Sequence, residues 1–225
     1  MAVTPADPGF PLWETYPSLE GMGLRQRFLL RHPEIDVDGE RAEVLQRLRP
    51  WHEDQVRNLG FVPSTLQLAE QVHGPSVAVA EPGGGLAAGA DALVAKAPGV
   101  LLGIYVADCA AVYLADPVSG AFGLVHSGKK GTELGIVPAA LAAMNAHFGA
   151  CVAEVRVQIS PCIRPPAYEV DFAAEIRRQC LEAGVQPGHL TDAGVCTSGD
   201  LRRYYSYRME KGRTGRMLAL LGKPS

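Results

Sequence analysis

The chain has 225 residues, 47% of them hydrophobic and 20% charged, and a formal net charge of −3 at pH 7. A chain of this length buries a sizeable core without disulfide or metal staples, and its slightly acidic balance argues against a surface built throughout for nucleic acid or anionic membrane. No segment approaches the length of a membrane span, and the start, MAVTPADPGFPLWETYPSLEG, has neither the basic flank nor the apolar run of a signal peptide, so one soluble, cytoplasmic domain is expected.

Residues 1–35 are rich in Pro and Gly with little periodicity and read as an N-terminal arm lying on the domain. Leu and Val at helical spacing among charges, over residues 39–60, predict an amphipathic helix with a break at Pro50. TLQLAEQV and SVAVAE read as two strands meeting at the turn His73-Gly74-Pro75, followed by a loop, PGGGLAAGAD. GVLLGIYVAD, AVYLAD and AFGLVH read as strands, and residues 131–149 as a helix with Pro138 near its start. A strand at AEVRVQIS, a loop PCIRPPAY and a helix DFAAEIRRQCLEAG come next. A polar helix near SGDLRRYYSYRMEKG and a short terminal strand, GRMLALLG, complete the chain. Strands and helices in this succession predict an α+β fold with helices over a mixed sheet. The five cysteines, Cys109, Cys151, Cys162, Cys180 and Cys196, are odd in number and scattered, which favours reduced thiols that act mostly as small buried hydrophobes.

Two apolar runs carry groups that a buried strand has no ordinary use for: Asp108 and Cys109 in one, His126 in the other. The turn Pro117-Val118-Ser119-Gly120 favours an antiparallel hairpin between AVYLAD and AFGLVH. Pairing outward from that turn sets Cys109 opposite Gly128 or Ser127, with His126 one diagonal step away, and such neighbours lie roughly 5 to 8 Å apart. Three accounts of this pair stand side by side. A buried thiol and a hydrogen-bonded core imidazole can coincide; the imidazole can activate a nucleophilic thiolate, given a third group to orient it; or both can bind a metal, given another ligand. His73, beside a Gly-Pro turn, is the best-placed further ligand, although on position alone an ordinary turn histidine is the simpler account of it. His32, His52, His147 and His189 sit in charged or helix-end contexts and read as surface residues.

In order along residues 60–220, QVHG (71–74), ADALV (90–94), PGVLLGIYVADCAAVYLADP (98–117), VHSG (125–128), GI (135–136), SPCI (160–163), YEV (168–170) and YYSYRMEKGRTGRM (204–217) together resemble a known set. It is that of the purine nucleoside phosphorylase family of laccase-domain, or multicopper polyphenol oxidase-like, proteins. The resemblance implies an α+β fold of the layered αββα sandwich type and a zinc ion bound by two histidines and a cysteine. Carried over by position, the ligands are His73, Cys109 and His126, with Cys109 and His126 at the catalytic centre. It further implies phosphorolysis of adenosine, inosine, guanosine or methylthioadenosine, so that a purine nucleoside and phosphate are the small-molecule partners, with adenosine deamination as a further activity.

The alternative metal is copper and the alternative activity polyphenol oxidation, but a two-histidine, one-cysteine site suits zinc better, and six histidines in all are few for a multicopper enzyme. A divergent zinc-binding member with little activity is the remaining alternative. Asp108 could serve as an acid or base in deamination, yet on a strand its side chain points away from that of Cys109, which favours a structural hydrogen-bonding role. Lys129 and Lys130 stand where the family has Trp-Arg, and its N-terminal TTR-x-GG is absent. With Gly128 they form a glycine-flanked cationic loop expected to receive an anion. The basic, tyrosine-rich tail at 202–216, which includes Arg208, reads as a solvated helix face, as part of a nucleotide or phosphate site, or as a nucleic-acid module, the last poorly matched to an acidic chain.

Overall fold

The computed structural model describes Gly9 and residues 11–225. Its first half contains β1 (Trp13–Glu14), β2 (Arg25–Leu29), α1 (Arg41–Asn58), β3 (Leu66–Ala69), β4 (Val77–Val79), β5 (Gly85–Ala87), β6 (Ala92–Ala95) and β7 (Val100–Val106). Then come β8 (Ala110–Ala115), β9 (Phe122–Ser127), α2 (Lys129–Glu133), α3 (Ile136–Phe148), β10 (Arg156–Ile159), α4 (Phe172–Glu182), β11 (Leu190–Asp192) and β12 (Met217–Lys223).

Every residue of β8 is buried, but alternate residues serve different cores. Ala111, Tyr113 and Ala115 join a cluster with Phe28, Leu102, Ile104 and Ala219, whereas Ala110, Val112 and Leu114 join one with Leu141, Met144, Phe172 and Ile176. Side chains of a strand alternate between its faces, so a strand apolar throughout needs a layer on each side. The described residues meet that need with two six-stranded sheets, in the orders β1-β2-β12-β7-β3-β5 and β11-β10-β8-β9-β6-β4. The first cluster lies between the sheets. Helices α3 and α4 cover the outer face of the second sheet, and α1 lays Val56 and Trp51 on the outer Leu29, Leu101, Leu218 and Leu220 of the first. The result is the α+β, αββα sandwich expected. Both sheets mix parallel and antiparallel neighbours. Each fully buried Leu, Phe or Ile contributes on the order of 1.5–3 kcal/mol.

Several local expectations change. Residues 11–35 are not only an arm: they supply β1 and β2, and β2 pairs with β12; the rest of the segment, 1–8 and 10, lies outside the described residues. Helix α1 runs through Pro50 unbroken. Residues 46 and 50 are both exposed, so the carbonyl that loses its donor faces water. The two strands around His73-Gly74-Pro75 do not form a hairpin; β3 lies in the first sheet and β4 in the second. The loop at 82–91 contains β5, which pairs in parallel with β3. No α-helix forms over 198–212: the end of a 3-10 turn at Thr197–Gly199 is followed by turns and irregular backbone. There Tyr204, Tyr205 and Ser206 are buried, so long-range packing overrides the local pattern. His52 is not on the surface: it is 2% exposed, between Trp51 and Tyr105, and burial pushes its pKa down to about 3. All five cysteines are free, and two of them, Cys162 and Cys180, are buried.

Candidate active site

Because β3 and β4 belong to different sheets, residues 70–76 must cross the sandwich. The crossing is tight: Gln71 and His73 have φ values of 66° and 62°, a region costly to residues other than glycine. Two sets of hydrogen bonds hold it. The Gln71 side-chain amide donates to the Tyr105 carbonyl at 2.5 Å and accepts from the Tyr105 N–H at 3.0 Å, prolonging the ladder with β7. The Asp91 carboxylate, fully buried at the start of β6, accepts from the main-chain N–H groups of Val72, His73 and Gly74 at 3.1, 2.9 and 2.8 Å.

A second crossing, from β7 to β8, carries Asp108 and Cys109. Asp108 is not on a strand; its φ is 79°. Its carboxylate accepts from Thr197 Oγ1 at 2.7 Å, Ser206 Oγ at 3.0 Å and the Arg208 N–H at 2.7 Å, and its carbonyl accepts from the Ile163 N–H at 2.8 Å. With its oxygens so engaged and 6% of the residue exposed, Asp108 fastens the tail to the floor of the site. The β8–β9 register pairs Ala110 with Ser127 and Ala111 with His126, so the next step sets Cys109 opposite Gly128.

These crossings bring His73, Cys109 and His126 together, with one donor atom from each inside a span of 4.8 Å. The rings of His73 and His126 meet edge to face at 4.8 Å. Asp91 Oδ1 lies 2.8 Å from His126 Nδ1, which orients the ring and leaves Nε2 for the cluster. Burial raises the Cys109 pKa, but hydrogen bonds and positive charge from His126 and His73 outweigh it, and the thiol lies below its ordinary value. Burial likewise lowers His126, yet Asp91 and Cys109 outweigh it and hold the imidazole above its ordinary value. A thiolate and two imidazoles, one of them braced by a carboxylate, fit a metal ion with a fourth position left open. This group of three could therefore hold a metal.

The three residues lie in the wall of a cavity of about 660 Å³, a volume suited to a small organic ligand. Tyr105, Tyr168, Phe172 and Tyr207 give it aromatic surface, and Arg41, Lys129, Arg208 and Arg216 give it positive charge. Lys129 and Arg208 thus reach the cavity as expected, but Lys130 is exposed and does not line it. The expected anion loop is mostly the short helix α2. Glu169 stands between the two remaining cations, 3.0 Å from Arg208 and 4.0 Å from Lys129, and the Arg208 guanidinium lies 4.8 Å from the centre of the Tyr168 ring.

Sequence reasoning missed Asp91, Gln71 and Arg41, and took in Arg216 only as the last residue of the basic tail at 202–216. Asp91 alone left a signal, an acid heading an apolar run.

Gly128 has no room for a side chain. A Cβ there would sit 2.5 Å from Cys109 Sγ, although its φ of −107° suits any residue. Gly128→Ala is expected to displace the thiol, at a cost of about 1–3 kcal/mol in stability and with loss of bound metal. Thermal melting and elemental analysis check this, and an alanine protein with parental metal content would contradict it.

Comparison with known proteins gives the family of the chain. The family model described as multi-copper polyphenol oxidoreductase laccase matches residues 36–176 and 170–223. A purine nucleoside phosphorylase of Deinococcus radiodurans is 34% identical over 204 residues, covering 78% of each chain. The purine nucleoside phosphorylase YlmD of Geobacillus stearothermophilus is 29% identical over 231 residues, covering 84% of this chain and 82% of that protein. The crystal structure of YlmD from that organism superposes with a TM-score of 0.83 over 93% of this chain and 94% of its own, at 25% identity. YfiH of Bacillus licheniformis, at 20% identity and a TM-score of 0.79 over 90% and 94%, shares the fold. On the extent of these matches, the chain belongs to the multi-copper polyphenol oxidoreductase laccase family, in which its similar curated relatives are named purine nucleoside phosphorylases.

Proposed function

We propose that the protein is a zinc-dependent purine nucleoside phosphorylase acting on adenosine, inosine, guanosine or methylthioadenosine. The observation that carries this reading is the single cavity that joins the His73, Cys109 and His126 cluster to aromatic walls and to cations. A purine nucleoside offers a flat base for aromatic faces, and the second substrate, orthophosphate, needs positive charge. In the reaction a phosphate oxygen bonds to the anomeric carbon of the ribose as the bond to the purine nitrogen breaks; the base leaves with the electron pair, takes up a proton, and ribose 1-phosphate remains. Tyr168, Phe172 and Tyr207 supply surfaces against which a base can stack. Arginine and lysine side chains neutralise the entering anion and the charge that develops on the leaving base. His73, Cys109 and His126 would hold the zinc, which supplies Lewis-acid chemistry when bound. Asp91 keeps His126 in place, and Asp108 fixes the tail from which Tyr207 and Arg208 project.

The names of similar proteins support phosphorolysis, while the family description points to phenol oxidation. Among the described residues only one group of three metal-ligating side chains occurs, which favours the first. Adenosine deamination would need a carboxylate free to shuttle a proton, and that of Asp108 is taken up by three donors.

The test is product analysis with zinc-loaded protein. Hypoxanthine and ribose 1-phosphate are expected from inosine only when phosphate is present. Base release that ignores phosphate, inosine formed from adenosine as the sole product, or oxygen uptake with a phenol as the sole reaction would overturn the reading.

A further inference from the structure

The four cavity cations are not equivalent. Lys129 and Arg208 share the Glu169 carboxylate. Among the described residues, Arg41 and Arg216 have no ion pair with any carboxylate. Arg216 donates from Nη1 to the main-chain carbonyls of Thr214 and Gly215, both at 2.8 Å, which aims a half-buried guanidinium without neutralising it. Its guanidinium also lies 5.7 Å from the centre of the Tyr207 ring, a neutral contact. Arg41, the first residue of α1, lines the same cavity. We propose that Arg41 and Arg216 together form the subsite for a tetrahedral oxyanion, the orthophosphate co-substrate, in place of the loop at Lys129 and Lys130.

Two like charges in one cavity repel unless an anion sits with them. Burial draws the Arg216 pKa below the ordinary guanidinium value, and the charge of Arg41 adds to the fall. Acting the other way on Arg216 are Tyr207, already in ring contact with it, and two acidic groups, Cys109 and Asp108. Cys109 belongs to the metal cluster and Asp108 is saturated by Thr197, Ser206 and the Arg208 N–H. Neither therefore takes the place of a bound anion. Orthophosphate carries up to two charges at neutral pH and presents several acceptor oxygens, and guanidinium groups match that pattern with paired N–H donors. Arg216 projects from the residue before β12 and Arg41 from α1, so helix and strand fix the spacing.

The identity of the anion rests on the phosphorylase reading; the existence of the subsite does not. The experiment titrates inorganic phosphate into zinc-loaded parent protein and into Arg41→Gln, Arg216→Gln, Arg216→Lys and Lys130→Ala, by calorimetry, with metal content and thermal melting confirming that each variant is folded. Affinity for phosphate should fall about 10- to 100-fold in either glutamine variant, the loss typical of a charge-assisted contact. It should fall less in Arg216→Lys and not at all in Lys130→Ala. Parental affinity in both folded glutamine variants, or no phosphate binding by the parent, overturns the subsite. The two readings fail separately. Phosphate-independent cleavage by a parent whose phosphate binding needs Arg41 and Arg216 removes the phosphorylase and keeps the subsite. Phosphorolysis with an unchanged KM for phosphate in both glutamine variants keeps the phosphorylase and removes the subsite.

Discussion

Replacing Cys109 by alanine is expected to strip the metal from the purified protein and, under the proposed phosphorylase function, to abolish nucleoside cleavage with it. The thiolate is the anionic donor of the set, and both neighbouring imidazoles hold it in that form. Without it two neutral ligands remain, one of them the exposed His73, and two imidazoles alone make a weak, poorly selective site. Changes to groups behind the ligands commonly cost about 10- to 100-fold in metal affinity, and loss of a ligand should exceed that. The side chain is partly exposed and faces the cavity, so the sandwich should survive. Elemental analysis alongside far-ultraviolet circular dichroism reads both consequences. A folded Cys109→Ala protein with undiminished metal content would refute the site.

Asp91→Ala should have the largest effect on stability. Its carboxylate collects three main-chain N–H groups and the His126 ring, and no part of it reaches solvent. Burial opposes its charge, but the hydrogen bond from His126 and those from Gly74 and His73 hold it below the ordinary carboxylate range. Alanine would leave those donors without an acceptor in the crossing that already keeps Gln71 and His73 in left-handed conformations. Breaking a buried pair of this kind costs about 3–5 kcal/mol. Denaturant unfolding of the metal-free protein measures this directly, and a loss below 1 kcal/mol, on the scale of a surface contact, would show that the crossing holds itself. Asp91→Asn, which keeps an acceptor oxygen, should recover part of the stability and less of the metal affinity, because it no longer offers His126 a charge.

The hairpin at β8 and β9 was legible in the sequence because its information is local. A Pro-Gly turn fixes the register, and the register alone sets Cys109 opposite Gly128. His73 was harder to place from residues alone. The turn composition around it says that the chain reverses, but not that the strands on either side join different sheets, and it is that change of sheet which carries His73 to the hairpin. Resemblance to a family supplied what spacing could not. The tail failed as a helix for the opposite reason. Its tyrosines and serine are held by Glu14, His32 and Asp108, more than 90 positions away, and no periodicity announces such partners. Arg41 and Arg216 meet in one cavity across most of the chain, and each alone reads as an ordinary surface cation.

The position of β12 bears on how the molecule is made. It follows every other strand in the chain, yet lies between β2 and β7. On the ribosome, β1 with β2 and β7 with β3 and β5 therefore wait as two unjoined pieces, while all six strands of the second sheet have already been synthesised by residue 192. A nascent chain halted between those points carries one finished sheet and one split sheet, with Leu29 and Leu101 lacking their neighbours Leu218 and Leu220. Such open edges are templates for misassociation. The stretch that brings Ser206 and Arg208 to Asp108 emerges just ahead of the same strand, so a copy halted before it lacks the tail that Asp108 fastens at the cavity. Seven residues, Met217–Lys223, thus join the two pieces of the first sheet by pairing with β2 on one side and β7 on the other.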